Sequence, residues 1–66
     1  MGPYLIQFLI DGEIIRKWAS MTPPLVPRKG EKIIGEINTF RVAEVEYDYR
    51  LPDGVFILIY LERVLS

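Results

Sequence analysis

Residues 45–61 read VEYDYRLPDGVFILIYL, and this stretch predicts the β-hairpin on which the fold assignment depends. Two runs rich in Val, Ile, Tyr and Phe flank residues 51–54 (LPDG), which are typical of a tight turn between antiparallel strands. In this interpretation Gly54 takes the left-handed conformation that follows the turn, and Leu51 lies opposite Val55. Because side chains alternate along a strand, one face of the hairpin then carries a continuous apolar layer.

A second hairpin is predicted at the N-terminal end of the sequence. Residues 4–10 (YLIQFLI) and 13–19 (EIIRKWA) both have strand-like composition, and Asp11-Gly12 separates them. Asp-Gly is favoured in a type I′ turn because both central residues of that turn need a positive φ.

The middle of the sequence predicts one irregular connection and two further strands. Residues 21–29 (MTPPLVPRK) contain three prolines, which cannot donate hydrogen bonds to a sheet, so we expect an extended loop. A third strand is predicted near residues 32–35 and a fourth at about residues 40–49. Within the fourth strand the apolar side chains change parity at Ala43-Glu44, which predicts a β-bulge that bends the strand.

Five strands joined by short turns, with one proline-rich loop and one bulge, predict an all-β fold, namely a five-stranded SH3-like small barrel. An OB-like barrel is the alternative. A chain of 66 residues accommodates one such unit, so residues 1–66 are expected to form a single small β-barrel domain.

The sequence resembles short phage- and prophage-encoded proteins, mostly of unassigned function, that form SH3-like barrels. The resembling segments are Asp11-Gly12-Glu13, Pro27-Arg28-Lys29-Gly30-Glu31, Phe40-Arg41-Val42, Val45-Glu46-Tyr47-Asp48-Tyr49 and Tyr60-Leu61-Glu62-Arg63. All of these are strand or turn signatures. The resemblance therefore implies a fold and a viral origin, and it implies no catalytic or binding residue.

Composition limits the classes of function. The chain has no Cys and no His, which excludes disulfides, thiol chemistry and most zinc sites. Eight basic and nine acidic residues give a net charge of −1, so we expect no global attraction to nucleic acid or to an anionic membrane. The longest apolar run, residues 55–61, is far shorter than the roughly 20 residues of a membrane-spanning helix. No secretory signal is visible, and we expect a cytoplasmic protein.

Catalysis without His or Cys would depend on carboxylates, Lys or Tyr. The candidate cluster is Glu44, Glu46 and Asp48, which alternate along the fourth strand and so share a face. Three carboxylates in a row could hold a hard cation such as calcium. Because no further oxygen-rich loop accompanies them, we interpret them as the solvated face of an amphipathic strand. We expect no enzymatic activity, no metal and no cofactor.

Surplus apolar surface is the main indication of function. The first and last predicted strands are apolar on both faces, and contiguous exposed apolar surface usually marks a partner site. A regular turn at Asp11-Gly12 would place Trp18 beside Leu5 and Leu9. The expected partner-binding residues are Leu5, Leu9, Trp18, Phe56, Leu58 and Tyr60, with Arg16, Lys17 and Glu46 at the rim.

Self-association is the expected mode of binding, because a symmetric dimer needs only one self-complementary patch. The phage resemblance adds the hypothesis that the protein docks on a host or viral protein and modulates it.

Nucleic-acid binding is the alternative function. Arg28, Lys29 and Lys32 cluster at the entrance to the third strand, and a basic groove with aromatic rings binds single-stranded nucleic acid. Interspersed Lys and Glu residues also serve solubility, so we rank this function second. Residues 24–29 (PLVPRK) match the P-x-x-P form of an SH3 ligand, and we interpret them as part of a stiff loop that folds over one end of the barrel.

Overall fold

The computed structural model describes residues 2–64 and shows an all-β protein with no helix in that range. The strands are β1 (Tyr4–Ile10), β2 (Glu13–Ser20), β3 (Lys32–Ile34), β4 (Thr39–Asp48) and β5 (Val55–Arg63). They form one curled, half-barrel sheet in the order β2-β1-β5-β4-β3, which confirms the all-β fold and the five predicted strands. Across residues 2–64, no helix has the length and apolar character needed to cross a membrane.

A parallel pairing of β1 with β5 joins the two ends of the chain at the centre of the sheet. The pairing runs from Tyr4 opposite Val55 to Leu9 opposite Tyr60. It begins where the Val55 N–H donates a hydrogen bond to the Pro3 carbonyl, at 3.2 Å. Since β2 and β3 lie at the two ends of the strand order, the sheet is open at both edges.

The turn between β1 and β2 has the predicted type I′ character. Asp11 has a φ of 51° and Gly12 a φ of 81°, so both central residues are left-handed. Ile10 and Glu13 pair directly across this turn. The prediction for the N-terminal hairpin is confirmed at the turn.

Beyond the turn, β2 contains a β-bulge that the sequence analysis did not predict. Ile14 lies opposite Leu9 and Arg16 lies opposite Phe8, so Ile15 is an extra residue. A single extra residue moves every later side chain of the strand to the other face of the sheet.

The predicted bulge in β4 is confirmed. Val42 lies opposite Leu61 and Glu44 lies opposite Tyr60, which leaves Ala43 as the extra residue. Bulges bend a strand and increase its twist, and here the bend helps the sheet to curl.

The predicted register of β4 against β5 is wrong by two residues. Ile57 lies opposite Tyr47, whereas the expected turn would have placed it opposite Tyr49. β4 ends early because the Asp48 carboxylate accepts three hydrogen bonds from Arg50. The backbone N–H donates at 3.1 Å, and the guanidinium donates at 2.9 and 2.7 Å. Residues 49–54 therefore form the loop, which is longer than predicted.

Gly54 does not have the left-handed conformation predicted for it, because the only glycines with positive φ in residues 2–64 are Gly12 and Gly30. A glycine is required at this position for a different reason. A Cβ on Gly54 would lie 2.8 Å from the Pro3 carbonyl oxygen, so the small residue allows the start of β1 to approach the loop.

The hydrophobic core lies on one side of the sheet. Its buried members are Ile6, Ile10, Val42, Val55, Ile57, Ile59 and Leu61. Val26 of the proline-rich segment packs against this cluster. That segment connects β2 at one edge to β3 at the other, so it must cross the side of the sheet that Val26 contacts. The prediction of a stiff covering loop agrees with this packing.

Candidate functional site

The two sides of the sheet differ in what covers them. The core face carries the buried cluster and the crossing loop. The opposite side, here called the outer face, consists of the alternate residues of β1 and β5 with their neighbours on β2 and β4. Its apolar members are half-buried and belong neither to the buried core cluster nor to the residues packed on it. They are Leu5, Leu9, Phe56, Leu58 and Tyr60.

The strand register brings these five predicted residues together. Leu5 lies directly opposite Phe56, and Leu9 lies opposite Tyr60. Between these two pairs, Leu58 lies opposite Gln7. The outer face therefore has a contiguous apolar patch over the two central strands, with one amide side chain inside it.

A depression of about 330 Å³ lies beside this patch. Its walls include Leu5, Gln7, Phe56 and Lys17. Interfaces gain most of their binding energy where a side chain of one partner fills such a depression on the other.

Two predicted rim residues border the patch on opposite sides. Lys17 of β2 pairs with Gln7, and Glu46 of β4 pairs with Leu58, so the four residues form one row across the sheet. Both charged side chains are exposed. Hydrogen bonding to the Glu46 carboxylate, followed by desolvation, raises the pKa of the Tyr60 hydroxyl above its usual range. The register places Tyr60 and Glu46 on the same face, since they lie opposite Glu44 and Leu58 respectively.

Trp18 does not lie on the outer face, so its predicted placement beside Leu5 and Leu9 is wrong. The extra residue Ile15 moves Trp18 to the core face, where it lies opposite Ile6.

The Trp18 side chain packs against neighbours on the core face. Its ring lies 5.3 Å from the ring of Phe8, and the guanidinium of Arg16 lies 5.9 Å from the centre of the indole. Arg16 is opposite Phe8, so this predicted rim residue also belongs to the core face.

Ile14 is an outer-face residue that the sequence analysis missed. It lies opposite Leu9, and it is 49% exposed. Ile14 precedes the bulge at Ile15, so the regular Asp11-Gly12 turn already places it on this face. No glycine, proline or change of apolar parity marks the bulge itself in the sequence.

The acidic residues of β4 share one face, as the sequence predicted, but the register shift gives them other partners on β5. Glu44, Glu46 and Asp48 lie opposite Tyr60, Leu58 and Phe56 respectively, at the border of the outer face. Within residues 2–64, no group of three potential metal ligands converges.

Arg50 neutralises one of these carboxylates. Its guanidinium is 2.7 Å from Asp48. Hydrogen bonds from the Arg50 side chain and then from its backbone lower the pKa of Asp48 from 3.8 to about 2. The ion pair leaves Glu44 and Glu46 as the carboxylates that give this border its negative charge.

The basic cluster forms a corner of its own. Arg28, Lys29 and Lys32 are exposed, and the Glu31 carboxylate accepts a hydrogen bond from the Arg28 backbone. Lys32 lies opposite Arg41, a basic residue that the sequence analysis had not included. The exposed rings are elsewhere, with Trp18 on β2, Tyr47 on β4 and Tyr49 in the loop that follows β4.

No protein-family model, curated protein or solved structure matches the chain. The functional inferences that follow therefore depend on the geometry and chemistry of this sheet.

Proposed function

We propose that the protein is a non-enzymatic interaction module that self-associates through its outer face. The observation that carries this proposal is the apolar patch over β1 and β5, which nothing in residues 2–64 covers. A sheet with an apolar face requires a second layer against that face. The crossing loop supplies such a layer for the core face, and a second copy of the chain supplies it for the outer face.

The size of the protein surface supports this proposal. The chain exposes 5193 Å², whereas a compact 7.7 kDa protein exposes about 4300 Å². The shape explains the difference: the radius of gyration is 12.3 Å, compared with about 11 Å for a compact domain of this length. The excess of about 900 Å² belongs to the chain as a whole, and it is of the same order as the roughly 800 Å² that each partner buries in a standard interface.

A second copy fits the patch better than an unrelated partner does, since an isologous interface requires one surface to match only itself. The patch combines apolar residues with one basic and one acidic border, which is a self-complementary pattern. Docking on a host or viral protein, as the phage resemblance implies, would use the same surface.

The assignment to SH3-like barrels stays a prediction. It is supported by the five short strands, the bulge at Ala43 and the long proline-rich loop. A second copy packed on the outer face would turn the half-barrel into a two-layered β-structure.

The proposal is tested by light scattering coupled to size exclusion on the wild type and on Phe56→Glu and Leu58→Glu. We expect a dimeric wild type and monomeric variants, because a carboxylate would be desolvated in the interface. Ile37→Glu is the matched control, since Ile37 is 90% exposed in the turn between β3 and β4, away from the patch. A wild type that stays monomeric over the whole concentration range, or folded variants that remain dimeric, would refute the proposal.

Nucleic-acid binding is the second candidate, favoured by the corner where Arg28, Lys29, Lys32 and Arg41 are exposed together. Binding driven by phosphate contacts weakens steeply as salt rises, whereas an apolar interface responds little. A salt titration with a fluorescent single-stranded oligonucleotide tests it. Saturable binding that Lys29→Glu abolishes would support this candidate, and absence of binding at low salt would exclude it.

A further inference from the structure

The charges at the borders of the outer face are distributed asymmetrically. One row of the sheet begins at Lys17 on β2, continues through Gln7 and Leu58, and ends at Glu46 on β4. Neither charged residue is part of an ion pair within residues 2–64. Along this row the β2 border of the patch is therefore basic, and the β4 border is acidic.

Two copies can pack outer face to outer face about a two-fold axis in two simple ways. If the axis runs along the strands, the β2 border of one copy lies over the β4 border of the other. If the axis runs across the strands, each border lies over its own counterpart. The first arrangement pairs opposite charges, and the second pairs like charges.

We propose that the protein forms a dimer whose two-fold axis runs along the strands, between β1 and β5, so that Lys17 of each copy faces Glu46 of the partner subunit. This inference rests on the proposed self-association. The row through Gln7 and Leu58 crosses the axis, and each Lys17 meets a Glu46 at the same height along the strands. Two equivalent ion pairs form at the two borders.

The apolar side chains fit the same axis. It brings Phe56 of the partner subunit above the depression that Leu5 and Lys17 line, where an aromatic ring has space to enter. The Gln7 side chains of the two copies come to lie on either side of the axis, so each buried amide has the other as a hydrogen-bond partner.

The curl of the sheet explains why the charged residues are at the borders. The sheet bends away from a partner that packs on its outer face, so the central strands come closest and the borders are farther apart. Lys and Glu have long side chains that can bridge such a gap while staying in contact with water. They determine the relative orientation of the two copies, and the apolar centre supplies most of the affinity.

Charge reversal tests the axis by analytical ultracentrifugation at low salt. Lys17→Glu and Glu46→Lys each place like charges at both borders, and we expect each variant alone to dimerise about tenfold more weakly than the wild type. An equimolar mixture of the two variants pairs opposite charges at both borders. Native mass spectrometry should therefore show a heterodimer in preference to either homodimer.

Lys29→Glu and Glu36→Lys are the controls, because they make the same changes of charge in turns outside the outer face. Both should dimerise like the wild type. The double variant Lys17→Glu/Glu46→Lys should recover wild-type affinity, since exchanging the two charges restores the pattern.

The outcomes separate the two proposals. A monomeric wild type refutes self-association, and the axis with it. A dimer that Phe56→Glu dissociates, but that neither single charge reversal weakens, refutes only the axis along the strands. Single variants that dimerise weakly and do not form a heterodimer on mixing also refute it.

Discussion

The two faces of the central strands have similar side chains and different surroundings. On β5, Ile57 and Ile59 of the core face are 2% and 1% exposed, whereas Phe56 and Leu58 of the outer face are only half-buried. Val26 of the crossing loop packs against the core cluster that contains the first pair, whereas the second pair belongs neither to that cluster nor to the residues packed on it. Apolar composition alone therefore does not distinguish a residue that stabilises the fold from one that is available to a partner.

The largest expected effect is on the core face. Ile57→Ala should lower the free energy of unfolding by about 2–5 kcal/mol, because the cavity it leaves is enclosed by the core cluster. A domain of this size has roughly 3–10 kcal/mol in total, so much of the population should unfold. The measurement is urea denaturation followed by circular dichroism at a concentration where the protein is monomeric.

Leu58→Ala is the matched variant on the outer face of the same strand. In the monomer it should cost about 1 kcal/mol or less, because the side chain is already partly hydrated. Equal losses for Ile57→Ala and Leu58→Ala would contradict the difference between the two faces.

Trp18→Ala sharpens the comparison, since sequence and structure assign this residue to different faces. On the core face beside Phe8 and Arg16, the 40% exposed ring should contribute about 1–2 kcal/mol to stability. Dimerisation of the folded variant should weaken much less than that of Phe56→Glu, because Trp18 only contributes to the lining of the depression beside the patch. A variant with normal stability and strongly weakened dimerisation would contradict this placement. It would indicate that Trp18 lies on the outer face, as in a hairpin without the bulge at Ile15.

The smallest expected effect concerns acid stability at the border of the outer face. Arg50 holds the pKa of Asp48 at about 2 in the folded state, below its ordinary 3.8. A depressed pKa contributes stability that is fully present above the unfolded value and is lost as the pH falls through the folded value. The wild type should therefore lose more stability between pH 4 and pH 2 than Asp48→Asn does.

Arg50→Gln provides the companion measurement for Asp48. It removes the guanidinium and keeps the 3.1 Å hydrogen bond from the backbone nitrogen, so its pH profile should lie between the other two. Because the Arg50 side chain is 90% exposed, added salt should reduce the differences. Parallel profiles for wild type and Asp48→Asn would show that the ion pair does not contribute to folding.

The sequence predicted the five strands, the first turn and one of the two bulges because their signals are local. Asp11-Gly12 indicated a type I′ turn, and the change of apolar parity at Ala43 indicated a bulge. The bulge at Ile15 left no such trace, since its neighbours are apolar or charged on both sides. This one residue accounts for the wrong faces of Trp18 and Arg16, whereas Ile14 precedes it and could have been placed on the outer face from the Asp11-Gly12 turn alone.

Interactions between distant residues explain the remaining differences. The parallel pairing of β1 with β5 has no signature in either segment. The Val55 N–H donates to Pro3 and not to the loop, while Arg50 occupies the Asp48 carboxylate. Together these contacts moved the register of β4 against β5 by two residues. The shift is even, so the predicted outer-face residues of β5 kept their face.

The pairing of β1 with β5 also determines when the chain can fold. Tyr4 meets Val55, and β5 supplies Val55, Ile57, Ile59 and Leu61, which are four of the seven buried core residues. A nascent chain therefore lacks most of its core until β5 has left the ribosome. Most of the chain must then close as one long loop before the central ladder forms, which makes folding slow for so small a protein.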